Sequence, residues 1–533
     1  VAVTIAARDP VRPAAPPRAS AVPIRSIAAG AAGIGVALAV WVVGGRAGWA
    51  NGMVVTPAEA LAPLFGDSAQ IYRRATTATV TAAARGFVVG GLLAFVSALV
   101  AATVPALRAA ISRFATIANA APWVAVAPCM LVILGRERGP SAVAALAVFF
   151  FVFVATSVGL GATPAASHHV LTALGAPRRR TLRLVQLPAS WPSVVDGCKL
   201  AAPAAMAGAI FGEWYGAQRG LGVLLIGAMQ SGRAERLWAA SLIAASCGLL
   251  AYGALALLQK ALVARYGGSV TGGPVSAGQG ERPRPATIAF ETLSAVVVVG
   301  LLIAAWWTWI EVADVSPLVV PRPMRVLEAL VDTPGDYLSA AIATIGTAAV
   351  ALALGFVVGF TAAVVTSRSV FLGGMIVPVV VVLAATPLVA LLPLFARIFG
   401  YEPTTVRLLA AVMVFFPVFV FTRSGLRATT GATTDALHAL GASTRIRFRL
   451  LDLPGAVPHI ASGARLAAGS AIVAAVVGET LIGNEGLGVL FAQAYRLLQL
   501  PRAFGAAIVI VVISVLVFAA AGVVERAVHR RWS

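Results

Sequence analysis

"LTALGAPRRRTLRLVQLPASWPSVVDGCKLA" occupies Leu171–Ala201, and "LHALGASTRIRFRLLDLPGAVPHIASGARLA" occupies Leu437–Ala467, 266 positions later. Extended to Gly222 and Gly488, the two segments match at 22 of 52 positions without a gap. A separation near half of the 533-residue chain marks a tandem duplication. Pro57 falls on Pro323 at the same offset. "GFVVG" at Gly86 recurs at Gly355, and Pro122, Pro128 and Gly135 recur at Pro387, Pro393 and Gly400 after small shifts.

The surroundings of these segments decide the fold class. Hydrophobic residues make up 59% of the chain and charged residues only 11%, with mean hydropathy +0.92. A soluble domain is about 25% charged. Apolar spans fall near 26–45, 79–104, 114–134, 141–163, 199–216 and 237–262. A second set falls near 287–310, 341–366, 372–396, 405–424, 465–483 and 504–524. Most approach the roughly 20 residues that cross a bilayer as helix. We therefore expect an all-α polytopic membrane protein of about twelve transmembrane helices. The alternating strands of a membrane barrel are absent. Because each repeat carries an even number of spans, the repeats run parallel, related by an axis along the membrane normal.

The formal charge of +20 sits where topology requires it. With the N-terminus inside, the inner tails, loops and linker hold 25 basic and 7 acidic residues, and the outer loops hold 14 and 13. This is the positive-inside asymmetry. It accounts for nearly all the excess charge, so no nucleic-acid partner is invoked. Cys129, Cys198 and Cys247 lack metal-ligand spacing and read as small core residues. Residues 1–25 are expected to be a cytoplasmic tail, followed by a first membrane helix and not a removed signal peptide.

In each repeat the quoted segment lies between the fourth and fifth spans, on the inner side. The helix before Gly175 ends at a residue suited to a left-handed cap, and Gly441 does the same in the second copy. A short basic helix follows, carrying Arg179 and Arg183 in one repeat and Arg445 and Arg449 in the other. Pro188 and Pro192 are expected to interrupt the chain before the next span, since proline removes a donor and clashes with the preceding turn. Topology requires charge here but not a repeated helix-turn-helix.

This pattern resembles the cytoplasmic EAA loop of binding-protein-dependent ABC importer permeases. Its consensus places Glu-Ala-Ala six residues before a glycine and Leu-Pro downstream. Gly175, Leu187 and Pro188 match in the first copy; Gly441, Leu453 and Pro454 match in the second. The glutamate does not match: His169 stands there first, and Asp435, followed by Ala436, second. "GEWYGAQRGLG" (Gly212–Gly222), "GETLIGNEGLG" (Gly478–Gly488), "PWVAVAP" at Pro122 and "PLVALLP" at Pro387 resemble the nitrate/sulfonate/taurine branch. Members of that branch are single six-span subunits that pair, whereas this chain looks like two fused into one.

The resemblance implies a type I importer fold with a first permease repeat over 26–265 and a second over 287–526. A cytoplasmic linker spans 266–286, and the tails are 1–25 and 527–533. It implies docking loops at about 164–198 and 425–464 that seat two copies of a cytoplasmic ABC ATPase. It further implies a substrate-binding protein or lipoprotein outside, and a multi-pass location in the inner (plasma) membrane with both termini cytoplasmic. No phosphate-binding loop accompanies either lysine, Lys199 or Lys260. ATP and Mg are accordingly expected on the partner ATPase, with no cofactor or metal in this chain.

Translocation-path candidates are Arg85, Trp123, Glu213, Trp214, Tyr215 and Glu479. Arg85 is the clearest charge within a span, and such charges are functional candidates by default. Its repeat counterpart reads as Leu354. The implied cargo is a small, polar, anionic solute. Two other readings remain: a secondary transporter of the major facilitator kind, and a non-transporting membrane scaffold. The first leaves the repeated inner loop unexplained, and the second predicts no passage at all.

Overall fold

The computed structural model describes residues 24–65, 69–104, parts of 107–115, 123–161, 171, 174–266, 285–316, 320–428 and 431–532. His169, the linker after Tyr266 and the N-terminal tail lie outside these residues. Every regular element among the described residues is helical. Among the described residues nine helices are long and apolar enough to span a bilayer, or ten if one bent pair counts as a single span.

The first repeat comprises α1 (Ile24–Arg46), α2 (Ala69–Thr103), α3 (Trp123–Gly161), α4 (Leu187–Trp214), α5 (Leu221–Gln230) and α6 (Ala234–Tyr266). The second comprises α7 (Pro285–Val312), α8 (Pro323–Asp332), α9 (Pro334–Arg368), α10 (Val370–Ala385), α11 (Leu388–Phe399) and α12 (Pro403–Arg427). It continues through α13 (Leu453–Ile482), α14 (Leu487–Arg496) and α15 (Leu500–Trp532). The pairs α2/α9, α4/α13, α5/α14 and α6/α15 are repeat equivalents.

Small residues let these helices approach. Ala83, Gly86, Gly90, Ala94 and Ala98 form a buried stripe on α2 at near four-residue spacing. A Cβ on Gly86 would come within 2.5 Å of the Ser141 carbonyl oxygen on α3. Membrane helices gain no hydrophobic driving force from one another, so close packing of such stripes supplies the contact. Gly33 of α1 likewise lies against the Met375 backbone of α10, which fastens the first span of one repeat onto the other repeat.

Gly135 breaks α3 with φ 78°, and Gly400 ends α11 with φ 86°. Both values favour glycine, which lacks the Cβ that penalises this region. The α10–α11 pair bends by 107° around Thr386 and Pro387, so the stretch expected as one span near 372–396 is not a single straight helix.

Two expectations are corrected. Pro188 and Pro192 do not interrupt the helix. The basic segment Arg178–Thr181 runs through a π turn, Leu182–Gln186, directly into α4, and Thr444–Arg447 runs through Phe448–Asp452 into α13. The wider turn lets the Leu187 N–H reach the Leu182 carbonyl and the Leu453 N–H reach that of Phe448. A π insertion is a known site of helix adjustment, and here it accommodates the proline that follows. The fifth spans therefore start as helix at Leu187 and Leu453, not near 199 and 465.

The second correction is one of register. The carbonyl of Ala145 faces Gly90, and its equivalent, that of Ala411, faces Gly355. In three dimensions Gly355 thus matches Gly90 and not Gly86, although the five-letter strings are identical. The counterpart of Arg85 is therefore Val350, one turn from Leu354. Both are apolar, so the arginine is unique to the first repeat under either alignment.

Candidate functional site

At the end of α4 remote from the basic segment, Glu213 is buried to 3% exposure. Thr79 Oγ1 donates to its Oε1 at 2.7 Å, and the Gly222 N–H donates to Oε2 at 2.7 Å. The Leu221 N–H in turn donates to Thr79 Oγ1 at 2.8 Å. Glu479 has the equivalent partners but receives both donors on Oε2: Thr344 Oγ1 donates at 2.8 Å, the Gly488 N–H at 3.0 Å, and the Leu487 N–H donates to Thr344 Oγ1 at 2.9 Å. Each carboxylate ties three helices, α2, α4 and α5 or α9, α13 and α14. A buried carboxylate needs such donors, because desolvation otherwise outweighs whatever it contributes.

The Gly-Leu-Gly pattern follows from this packing. Gly220 (φ 147°) and Gly486 (φ 108°) open α5 and α14, and a Cβ on either would overlap the glutamate carboxyl group. On Gly488 a Cβ would meet the Val476 carbonyl oxygen at 2.5 Å. Backbone is thereby wrapped around the carboxylate, with the intervening leucine, Leu221 or Leu487, fully buried. The glutamates are therefore helix-tying hubs in geometry.

Beside the first hub lies a pocket of about 540 Å³, lined by Arg74, Arg85, Arg136, Arg219, Glu137 and Glu213, among others. Arg85 is exposed and reaches this pocket from α2. In the second repeat, Val350 replaces Arg85, Glu402 replaces Arg136 and Glu485 replaces Arg219. The basic lining belongs to one repeat alone.

The aromatic candidates separate. Trp123 begins α3, and its side chain is outside the described set. Trp214 is half-buried against Phe211, with ring centroids 5.0 Å apart. Tyr215 packs on Phe211 at 5.5 Å and meets Tyr495 of the other repeat edge-on at 6.0 Å. Nearby, Arg397 Nε of α11 donates to the Met229 carbonyl at 3.1 Å. The two repeats are thus joined at the end opposite the basic helices.

At that other end, Gly175 has φ 68° and Gly441 φ 72°. The Ala176 N–H bonds the Leu171 carbonyl at 2.9 Å, and Ala442 bonds Leu437 at 3.0 Å. This six-to-one bond is that of a Schellman cap. Arg179, Arg183, Arg445 and Arg449 are exposed, while Leu187, Pro188, Leu453 and Pro454 are half-buried against the bundle. Asp435 is exposed on the helix Gly431–Ala439. Both segments present a short cationic helix, rigidly joined to a span, toward water.

Sequence reasoning missed Thr79, Thr344 and Asp452. The two threonines stand at an offset of 265, one position out of the 266 frame, which hid their pairing. Asp452 is buried and accepts from Arg447 Nε at 3.3 Å. Gln186 stands in its place in the first repeat.

The model of the family described as "Binding-protein-dependent transport system inner membrane component" matches residues 86–266 and again 355–532. A probable ABC transporter permease protein of Haemophilus influenzae is 29% identical over 226 residues, which is 42% of this chain and 92% of that protein. The taurine transport system permease protein of Escherichia coli is 28% identical, over 44% of this chain and 85% of its own length. A formylaminopyrimidine transport permease protein of Halalkalibacterium halodurans is 27% identical, over 38% and 82%. Each relative is matched over most of its length by less than half of this chain, as expected for two units joined in one polypeptide.

Proposed function

We propose that this chain, which belongs to the family of binding-protein-dependent transport system inner membrane components, supplies both permease units of an ATP-driven importer. The observation that carries the reading is the doubled inner element: two capped, cationic helices, each continuous with a long span. A rigid helix end presented to water can receive a mechanical stroke and pass it along the span. Two such ends in one chain suit two copies of a cytoplasmic ATPase. In this reading Arg179, Arg183, Arg445, Arg449 and Asp435 face the ATPase, Gly175 and Gly441 set the turns, and Leu187, Pro188, Leu453 and Pro454 root the helices. ATP and Mg are bound by that partner.

The cargo follows from charge. The pocket beside Glu213 places four arginines against two carboxylates. Such a surface attracts small anions over the Debye length of about 8 Å at physiological ionic strength. Relatives named for taurine, aliphatic sulfonates and nitrate carry anionic or zwitterionic solutes. We therefore assign a small anionic solute, delivered by an extracytoplasmic binding protein, with Arg85 at its entry. Both termini and the 266–286 linker lie on the ATPase side under the positive-inside rule.

Native mass spectrometry of the complex purified with its partners tests the reading. One copy of this chain with two ATPase subunits is expected. Two copies per ATPase pair, or no ATPase bound at all, would refute it.

A further inference from the structure

A second pair of clusters lies on the docking side of the bundle, about ten residues into each fifth span, or roughly 15 Å along the helix. In the first repeat Lys199 Nζ sits 2.5 Å from Asp196 Oδ1 and donates to Gln259 Oε1 at 2.8 Å. Gln259 Nε2 closes the triangle by donating to Asp196 Oδ1 at 3.1 Å. The ammonium also stands over the Tyr252 ring, 5.7 Å from its centroid. Asp196 and Lys199 belong to α4; Tyr252 and Gln259 belong to α6.

The second repeat uses the same four positions. Arg465 Nη1 donates to Glu525 Oε2 at 2.8 Å, and Ser462 Oγ donates to Glu525 Oε1 at 2.5 Å. The guanidinium lies over Phe518 at 4.3 Å. His529 Nε2 is the other titratable group facing Glu525, at 4.0 Å. Adding 266 to 196, 199, 252 and 259 gives 462, 465, 518 and 525. The cation keeps its place and its aromatic floor, but the acid has changed helix. Asp on the fifth span with Gln on the sixth has become Ser on the fifth with Glu on the sixth.

That exchange is informative. Either substitution alone would leave the half-buried cation with two acids or with none. An unpaired charge in such a place is strongly destabilising, since it loses water without gaining a partner. A generic surface polar pair would not hold one acid, one cation and one neutral hydrogen-bonding group at the same four positions while the residues trade roles. What both repeats retain is the connection between two helices.

We propose that these clusters are clasps that carry the motion of each docking helix into the last span of its repeat. Asp196, Lys199 and Gln259, with Ser462, Arg465 and Glu525, are positioning residues for coupling. The mechanical line is continuous. The basic helix passes through the π turn into the fifth span, and the clasp fixes the sixth span to it just beyond the turn. Without the clasp the fifth span moves alone.

The inference rests on the permease reading, and the test separates the two. Nitroxide labels are placed at the exposed positions Lys260 and Arg526, equivalent sites on the docking-side ends of α6 and α15. Their separation is measured in the full complex in nanodiscs, without nucleotide and after trapping with ATP, Mg²⁺ and vanadate. The wild-type separation shifts on trapping. Asp196→Ser should abolish the contribution of α6 to that shift while nucleotide trapping persists. Adding Gln259→Glu to Asp196→Ser recreates the second repeat's arrangement and should restore it. If Asp196→Ser fails to assemble, Ser462→Asp with Glu525→Gln makes the mirror exchange in the second repeat and should shift as wild type does. A normal shift in Asp196→Ser, no rescue by the double exchange, or a wild-type pair that stays still on trapping would overturn the clasp. Failure of the ATPase to bind counts instead against the permease reading.

Discussion

Thr79 Oγ1 lies 2.7 Å from Glu213 Oε1, and Thr344 Oγ1 lies 2.8 Å from Glu479 Oε2, so one hydroxyl–carboxylate bond is built twice in one chain. In each case the same hydroxyl accepts from the first N–H of the short helix that follows, Leu221 or Leu487. One threonine therefore serves as donor to the acid and acceptor for the helix. Valine, which matches its shape, can do neither.

Thr79→Val and Thr344→Val should each destabilise the protein by about 1–3 kcal/mol, the cost of leaving buried polar groups unpaired. Thermal unfolding in detergent, followed by a tryptophan or thiol-reactive probe, measures it. Because the two hubs lie in separate repeats and share no partner, the double substitution should be close to additive. A melting temperature unmoved by either change would mean that the hubs contribute nothing to stability.

Gly220→Ala and Gly486→Ala should be far more damaging than Gly175→Ala. All three substitutions add a methyl carbon at positive φ, but only the first two would meet a carboxyl group. At Gly175 nothing lies within 4 Å of the added carbon. The cost there is conformational, about 1 kcal/mol. Yield of monodisperse protein after membrane extraction should fall sharply for Gly220→Ala and remain near wild type for Gly175→Ala.

Docking is expected to be unequal between repeats. Asp435→Ala should lower ATPase stimulation more than His169→Ala, because only Asp435 keeps an acidic side chain where the EAA pattern places its glutamate. Gly441→Val should weaken ATPase association while leaving binding-protein docking on the opposite face intact. Pull-down of the two partners by each variant, with ATP hydrolysis measured in reconstituted membranes, gives the comparison. Equal and negligible effects of Asp435→Ala and His169→Ala would remove the asymmetry.

Arg85→Leu should reduce ATP-dependent uptake of an anionic probe such as taurine or nitrate, and more at low ionic strength than at high, where screening already weakens attraction. Val350→Leu, at the equivalent site of the second repeat, should leave uptake unchanged. Should both variants transport like wild type at every salt concentration, the arginine pocket has no part in entry.

Fold class, duplication and the position of the repeated basic segments along the chain were legible in the residues. Lipid solvent makes hydrophobic length nearly sufficient to define a span, and a 266-residue repeat needs only comparison of the chain with itself. The Gly-Leu-Gly pattern was visible, and so were Glu213 and Glu479. Their partners were not. Thr79 and Thr344 sit more than 130 positions away in sequence, one residue out of the repeat frame, and only helix packing brings them to the acid.

Two misreadings share that origin. Proline chemistry argued for a break at Pro188, yet a π turn absorbed it, because backbone hydrogen bonding has a second solution that composition does not display. Identical letters at Gly86 and Gly355 argued for one register, yet contact with Ala145 and Ala411 selected another. Local strings record which residues suit a helix; which turn of that helix meets a neighbour is decided by steric fit across the bundle. The clasps make the same point from the other direction. Each of their residues is ordinary in isolation, and only the folded chain places Asp196 with Gln259, and Ser462 with Glu525, at one conserved geometry of opposite polarity, since charge balance is a property of helices in contact and not of the sequence along either one.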